Sequence, residues 1–341
     1  MKISLLYFAN RDASDAAAQY RLLMDSARFA DANGFDAVWV PERHFHPFGG
    51  AYPNPALAAA AVASVTSTLR VRAGSVVLPL NDVLRVAEDW MFVDNLSGGR
   101  VDLAFAAGWN ANDFVLAPEA FQARRTQLAG MIENFRTLWH GGSLTRRNGK
   151  GDDVSVRVYP EPVQREPGLW LTASSSWRTF AAAGAGGFNV LTGMLFMSLE
   201  ELSAKIGEYR RTRAKAGADP AAGCVTLMLH TYLGGSVESV RQTVRPAFTR
   251  YLDSSRDLWG QEMQRLQAAA EADNDALLSF AFERYFGTAA LFGTPESTLP
   301  FVRRLEDAGV SELACLVDFG LPDSEVLEGL KHLAELARLV A

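Results

Sequence analysis

Glu42, Arg43, His44 and His46 fall within one short stretch, "AVWVPERHFHPFGG", directly after an apolar run that ends at Pro41. A carboxylate, a guanidinium and two imidazoles this close in sequence supply a proton donor and acceptor near neutral pH, a fixed cation and an orienting anion. Polar or aromatic side chains recur at comparable places. Asn10, Asn81, Asp82, Trp109, Asn110, Asp113, Ser174, Ser175, Ser176, Thr192, His230 and Asp318 each stand near or just after the end of an apolar run. Chemistry spread over so many run ends requires a fold that gathers those ends at one place.

The runs themselves name that fold. "KISLLYFAN", "AVWV", "RVRAGSVVLP", "RVDLAFAAG", "LWLTAS", "FNVLTG", "CVTLMLHTYLG" and "ELACLVDF" read as eight strands, each followed by a segment with helical spacing of apolar residues. Strand–helix alternation of this kind predicts a parallel sheet, and eight repeats predict a (β/α)8 TIM barrel forming one domain over 1–341. Two segments break the rhythm as insertions. Gly141 to Pro167, after the fourth strand and its helix, reads as an excursion with an extra strand in "VSVRVYP"; Ser254 to Tyr285, after the seventh, reads as a cover for the site. In such a barrel the active site sits at the C-terminal ends of the strands, which is where the residues above fall. His140 and His332 lie on helices and read as solvated.

Composition removes several functions. The chain of 341 residues is 48% hydrophobic and 21% charged, with a formal charge of −6, so it reads as globular with no basic surface for nucleic acid. No apolar run approaches the roughly 18 residues that span a bilayer, and Met1-Lys2 leads straight into a strand, so no membrane association and a cytoplasmic location are expected. Cys224 and Cys315 are too few for a disulfide scaffold or zinc site and read as reduced core residues.

Ligand-binding signals are of several kinds. "TASSSW" opens a helix directly after a strand, so Ser174, Ser175 and Ser176 with the backbone N–H groups there favour either a phosphate or ordinary capping. Gly234 to Ser236 is a weaker site of that kind, and Gly184 to Gly187 ends a helix, so it is not a dinucleotide fingerprint. Gly74-Ser75 interrupts a strand, which suits a flat ligand against the backbone or relief of crowding at the barrel axis. His44-x-His46 with His230 and Asp318 has a metal-like composition, but the fifth and sixth strands add no histidine, and no metal is expected.

Three long segments, "GFDAVWVPERHFHPFGGAYPNP", "AGSVVLPLNDVLRVAEDWMFVDNLSGGRVDLAFAAGWNANDF" and "WLTASSSWRTFAAAGAGGFNVLTG", resemble the luciferase-like, flavin-dependent monooxygenases. "ERHFHPFGG", "AAGWNANDFVLAPE" and "VTLMLHTYLG" look like the branch associated with polyketide and nonribosomal peptide biosynthesis. The resemblance implies a luciferase-like barrel binding reduced FMN at its mouth, O2 as co-substrate, a homodimer packed through early helices and a separate flavin reductase. It puts His44 and Arg43 beside the reacting edge of the flavin as catalytic residues, and Gly74-Ser75 under the isoalloxazine, where the family often has a non-proline cis peptide. Ala107, Gly108 and Trp109 would line the ring edge, Ser174 to Ser176 would hold the phosphate, and Thr192 would lie nearby.

The implied activity is oxygenation of a natural-product intermediate, by amine N-hydroxylation or Baeyer–Villiger-type ketone oxidation. His44 would act as acid or base, held by Glu42 or Asp113, with His46 and His230 toward the substrate. Bacterial luciferase has two adjacent histidines where this chain has Arg43 and His44, and an arginine where it has Ala107, so aldehyde oxidation with light is not expected. The substrate is a small molecule, free or bound to a carrier protein; Thr145 to Lys150 and Arg210 to Lys215 are the basic segments that would dock an acidic carrier, unless the second, in the last turns of a helix, simply complements its dipole. The rival readings are a deazaflavin-dependent hydride-transfer enzyme, a metal-dependent hydrolase and a non-catalytic binder of flavin or of a biosynthetic intermediate.

Overall fold

The computed structural model describes residues 1–8, 16–47, 49–174, 176–194, 197–254 and 274–341. The eight expected strands are β1 (Lys2–Leu6), β2 (Ala37–Val40), β3 (Arg70–Val77), β4 (Val101–Ala106), β7 (Gly168–Thr172), β8 (Asn189–Gly193), β9 (Val225–Leu233) and β11 (Glu312–Leu316). Each pairs with its neighbour in parallel, and β11 closes the ring by pairing with both β9 and β1. The result is the predicted TIM barrel.

Helices α1 (Ala16–Ala32), α2 (Pro55–Ser64), α3 (Val83–Ser97), α4 (Arg124–Trp139), α5 (Trp177–Ala185), α6 (Leu199–Lys215), α7 (Val237–Ser254), α8 (Asn274–Thr288), α9 (Pro295–Asp307) and α10 (Asp323–Val340) lie between and beyond the strands. Local chemistry sets their ends. Asn54 caps α2 by accepting from the backbone N–H groups of Ala56 and Leu57. Asp82 caps α3 by accepting from Leu84, and Gly98 ends it in the left-handed region at φ 67°. Asp82 is therefore spent on its helix.

Three elements were not foreseen: a short strand, the helix α9 after it, and a second strand in the excursion from Gly141. β10 (Leu291–Gly293) pairs with Thr231 to Leu233 of β9, beyond the residues that pair with β11, and its three residues are too few to show a period. α9 follows it, opened by a Thr294–Ser297 capping box. The excursion from Gly141 contains two strands, β5 (Leu144–Arg147) and β6 (Asp153–Val156), joined as an antiparallel hairpin. It lies at the N-terminal face of the barrel, where Gln164 accepts from Arg70 Nη2 at 3.1 Å and donates to the Val101 carbonyl at 2.8 Å.

That placement corrects the docking expectation. Helices of a βα barrel run antiparallel to its strands, so the end of α6 also lies at the N-terminal face. Arg210 there donates to the Pro220 and Gly223 carbonyls, both at 2.6 Å, and Arg213 to the Asp219 carbonyl at 3.2 Å. Both basic segments stand opposite the mouth, and the α6 cations hold their own loop.

The barrel interior is polar at that same end. Arg72, on β3, donates to both Glu312 oxygens at 2.7 and 2.8 Å, to Asp102 at 2.8 Å and to Asp36 at 2.7 Å. Trp39 and Trp170 lie about it with the guanidinium carbon 5.1 and 5.0 Å from their ring centroids. Glu312 also accepts from Ser4, Trp39 and Thr226, while Asp102 accepts from the Gly168 N–H. Burial works against the Arg72 charge, but Glu312, Asp102 and Asp36 outweigh it and hold the guanidinium well above its ordinary pKa.

Cys224 and Cys315 are free thiols, and burial pushes them up to about 11 and about 12. No helix among the described residues is long and apolar enough to cross a membrane.

Arg72→Met would leave Glu312 and Asp102 without their central counter-charge. We expect a loss of about 3–5 kcal/mol in urea unfolding, the range for breaking a buried ion pair on one side. A loss below about 1 kcal/mol, the level of an exposed pair, would show that the hub does not hold the barrel together.

Candidate active site

The C-terminal ends of β2, β3 and β4 meet around the "ERHFH" segment. β2 ends at Val40, and Pro41 turns the chain so that Glu42 reaches back to β3. Glu42 Oε2 accepts from the Val77 N–H at 2.6 Å; Oε1 accepts from Asn81 Nδ2 at 3.0 Å and lies 3.1 Å from His44 Nε2. A carboxylate fixed by two donors thus fixes the imidazole. Of the two carboxylates expected to hold His44, Glu42 is the one in contact.

Asp113 serves Arg43 instead. The guanidinium Nη1 donates to Asp113 Oδ2 at 3.0 Å, and Asp113 Oδ1 accepts from Asn110 Nδ2 at 2.6 Å. Trp109 lies against the same group, its ring centroid 4.8 Å from the guanidinium carbon. Arg43 is only 2% exposed, yet among the described residues its Nε and Nη2 have no hydrogen-bond partner. Burial lowers its pKa from the ordinary value against the pull of Asp113. Gly49, at φ +84°, makes room for it: a Cβ there would come within 2.9 Å of Arg43 Cγ and 3.2 Å of the Phe8 ring.

β3 changes register between Ala73 and Val76, so Gly74 and Ser75 bulge opposite Ala104 of β4. The one cis peptide among the described residues is Tyr159-Pro160, so the cis bond expected at Gly74-Ser75 is not formed; the bulge turns the strand there instead. A Cβ on Gly74 would meet Val40 and Trp39 only at 3.4–3.5 Å, an ordinary contact, so crowding does not demand glycine. Ser75 Oγ hydrogen-bonds Thr172 Oγ1 of β7 at 2.6 Å, a partner at a strand end that the sequence reading passed over.

Gly108, at φ +79°, follows β4, and Arg124 Nε donates to its carbonyl at 3.0 Å. A Cβ there would strike Val77 at 2.7 Å and Phe114 at 2.8 Å. Ala107 beside it is half-buried and Trp109 exposed. After β7, Ser174 and Ser176 are exposed at the start of α5; Ser176 takes the N-cap position but its side chain makes no capping bond. Buried Thr192, on β8, donates to the Ser174 carbonyl at 3.4 Å. Ser175 and Asn10 lie outside the described residues, as does 255–273 of the expected cover. His46 is half-buried in the turn after His44.

His230 stands apart from this group. It is buried near the end of β9 among four rings, with centroids 4.9 Å from Phe248, 4.6 Å from Tyr251, 6.2 Å from Tyr285 and 5.8 Å from Phe319. Among the described residues its Nε2 has no hydrogen-bond partner, and burial pulls its pKa down to about 3. Asp318, also buried, accepts from the Phe8 N–H at 2.8 Å. Among the described residues no three His, Cys, Asp or Glu side chains are grouped to hold a metal ion.

A closed parallel barrel with its ionisable groups gathered at the C-terminal mouth has the architecture of a TIM-barrel enzyme. The family model of luciferase-like monooxygenases matches residues 1–312, and the chain belongs to that family. It is 36% identical to the alkanal monooxygenase alpha chain of Photorhabdus luminescens, over 91% of this chain and 88% of that one. It is 28% identical to the oxygenase component of the flavin-dependent trigonelline monooxygenase of Acinetobacter baylyi, over 71% and 67% of the two chains. The fold is shared with the oxygenating constituent of 3,6-diketocamphane monooxygenase from Pseudomonas putida, a Baeyer–Villiger enzyme solved with FMN, at TM-score 0.81, 17% identity and coverage of 100% and 98%. The chain is an enzyme of the flavin-dependent monooxygenase class.

The buried imidazole sets a pH dependence. The folded state leaves His230 neutral from its ordinary 6.5 down to about 3, whereas the unfolded chain takes up a proton there. Unfolding therefore binds a proton, and stability falls on acidification below about 6.5, by up to about 1.4 kcal/mol per pH unit. His230→Phe is expected to flatten the fall between about pH 6.5 and 5, where carboxylates are still charged. Urea unfolding at stepped pH reads this directly; equal slopes for both proteins would contradict it.

Proposed function

We propose that the chain is the oxygenase component of a two-component, FMN-dependent monooxygenase that takes reduced flavin from a separate reductase and oxygenates a small natural-product intermediate. The observation that carries this reading is Arg43, a buried guanidinium at the mouth with two unpaired donors beside the Glu42–His44 pair. Unpaired donors held out of water cost about 1–3 kcal/mol unless a ligand completes them. An electron-rich, anionic group such as reduced flavin does so.

The residues fit FMN in two further respects. Gly74 is not required by its protein neighbours, which suits a flat ring against the bulge with Ser75, Ala107, Gly108 and Trp109 around it. Ser176 leaves its hydroxyl unspent at the start of α5, where with Ser174, Ser175 and Thr192 it would receive the phosphate. When bound, reduced FMN supplies the electrons that activate O2 for transfer of one oxygen atom.

The chain's own residues do the rest. Glu42 holds His44 through Nε2, leaving Nδ1 to exchange a proton with the substrate during oxygen transfer. Arg43 balances negative charge at the mouth. Exposed Phe45 and Trp109, on loops after β2 and β4, and Trp177, the first residue of α5 after β7, give the mouth an apolar rim that suits an organic amine or ketone and keeps water scarce. Because both basic segments lie at the opposite face, we read the substrate as a free small molecule.

Anaerobic titration with reduced FMN tests the assignment. Arg43→Met is expected to weaken binding about 10- to 100-fold, the cost of losing a hydrogen bond to a charged group. Unchanged affinity would remove Arg43 from the flavin site, and tighter binding of a deazaflavin would replace FMN as the cofactor.

We further propose that the enzyme is a homodimer through α2 and α3, whose outer faces leave Leu57 70% and Phe92 58% exposed, with Leu96 beside them. Phe92→Glu should convert the dimer to a monomer in sedimentation velocity. A wild-type monomer, or a dimer that tolerates the charge, would rule this face out.

A further inference from the structure

Nothing in the chemistry assigned to the mouth uses His230, yet it occupies a costly position. The imidazole stands near the end of β9, across the ladder from Leu316, the last residue of β11. Four rings surround it: Phe248 and Tyr251 from α7, Tyr285 from α8 and Phe319 from the loop after β11. All four lie steeply to the imidazole plane, at 76–88°. Phe248 and Tyr251 are themselves stacked, parallel to within 8° with centroids 5.8 Å apart, and make up one aromatic side of the cage.

Were this only core, a phenylalanine would fill the space without cost. The imidazole instead buries Nε2 with no partner, and an unpaired buried nitrogen costs about 1–3 kcal/mol. The cage also connects to the mouth. Phe319 follows Asp318, which accepts from the Phe8 N–H; the Phe8 ring faces Gly49, and Gly49 faces Arg43. An aromatic wall, a single unpaired nitrogen and continuity with the reacting end are the parts of a substrate subsite.

Resting on the reading of the mouth as an oxygenase site, we propose that the His230 cage receives the far end of the substrate, a flat aromatic group bearing a neutral hydroxyl or carbonyl that pairs with Nε2. The rings supply stacking. A carboxylate is disfavoured there, because the ring faces and buried Asp318 both oppose negative charge. Opening the cage requires the Tyr251 and Tyr285 rings to part, and they sit on two helices joined on the outside by Arg241 and Arg245 to Glu283. His230 is thus a specificity residue that touches the substrate away from the reacting atoms.

Three probes of one shape decide the matter: naphthalene, 2-naphthol and 2-naphthoate, measured by equilibrium dialysis against the flavin-free protein at pH 7. The expected result is that 2-naphthol binds about tenfold tighter than naphthalene, the worth of one buried hydrogen bond, and that 2-naphthoate binds no tighter than naphthalene. His230→Phe should bring 2-naphthol down to the naphthalene level, and His230→Gln, which keeps a neutral polar group, should retain part of the preference. Equal binding of naphthalene and 2-naphthol by wild type, no binding of either, a preference that survives His230→Phe, or tighter binding of 2-naphthoate would each overturn the proposal. If His230→Phe does not fold, the wild-type comparison and His230→Gln still decide it. Reduced-FMN affinity on the same proteins separates the two readings. A lost 2-naphthol preference with unchanged FMN binding in His230→Phe supports the cage, whereas an intact preference in a wild type that does not bind FMN overturns the flavin reading alone.

Discussion

One buried guanidinium sets the barrel's register. Arg72 and the groups that hold it draw side chains or backbone from β1, β2, β3, β4, β7, β9 and β11, all meeting inside the barrel at its N-terminal end. A charge in that position is tolerable only if every donor is matched, and a slip of one residue in any contributing strand would turn its side chain out of the barrel and unmatch a partner. The hub thus penalises wrong registers more than it adds to net stability. With the registers fixed, the C-terminal ends of the strands are fixed as well, and the ends carry the chemistry.

Arg43 is the counterpart at the other end. Both arginines are nearly inaccessible, both lie against tryptophan and both pair with a carboxylate. They differ in completeness: no nitrogen of Arg72 lacks a partner, whereas two of Arg43 do. The contrast supports reading Arg72 as a structural cation and Arg43 as one that a ligand would complete, more clearly than burial or sequence neighbourhood can. It also gives meaning to Arg43 as a departure from the paired histidines of bacterial luciferase, since a guanidinium stays charged where a histidine could shed its proton.

The barrel was legible because its signal is local. Apolar runs, caps and helical spacing repeat along the chain, and all eight strands follow from them; so does the clustering of Glu42, Arg43 and His44 at one strand end. The hub was not legible, because Arg72 and Glu312 are 240 residues apart and nothing near either announces the other. Pairings within the mouth were half legible for the same reason: His44 finds Glu42 two residues away, while Asp113 goes to Arg43 across 70 residues. The docking reading of the basic segments fails because helix direction sends the end of α6 to the face opposite the mouth, which leaves the dipole-complementing reading for its cations. β10 escaped because three residues carry no period.

His230 shows how far a correct position falls short of a role. Its place near a strand end was readable, but its surroundings come from α7, α8 and the loop after β11, and Tyr285 of that wall lies in the segment read as a cover for the site. Enclosure changes its chemistry. The same imidazole that near solvent would exchange protons at neutral pH is held neutral by burial and becomes a fixed hydrogen-bonding group. In the proposed reaction proton exchange would fall to His44, which rests on a carboxylate, while a neutral His230 would only recognise. Two histidines near the ends of two strands thus meet opposite surroundings, a carboxylate beside one and aromatic rings around the other, and it is this difference that supports giving them different tasks.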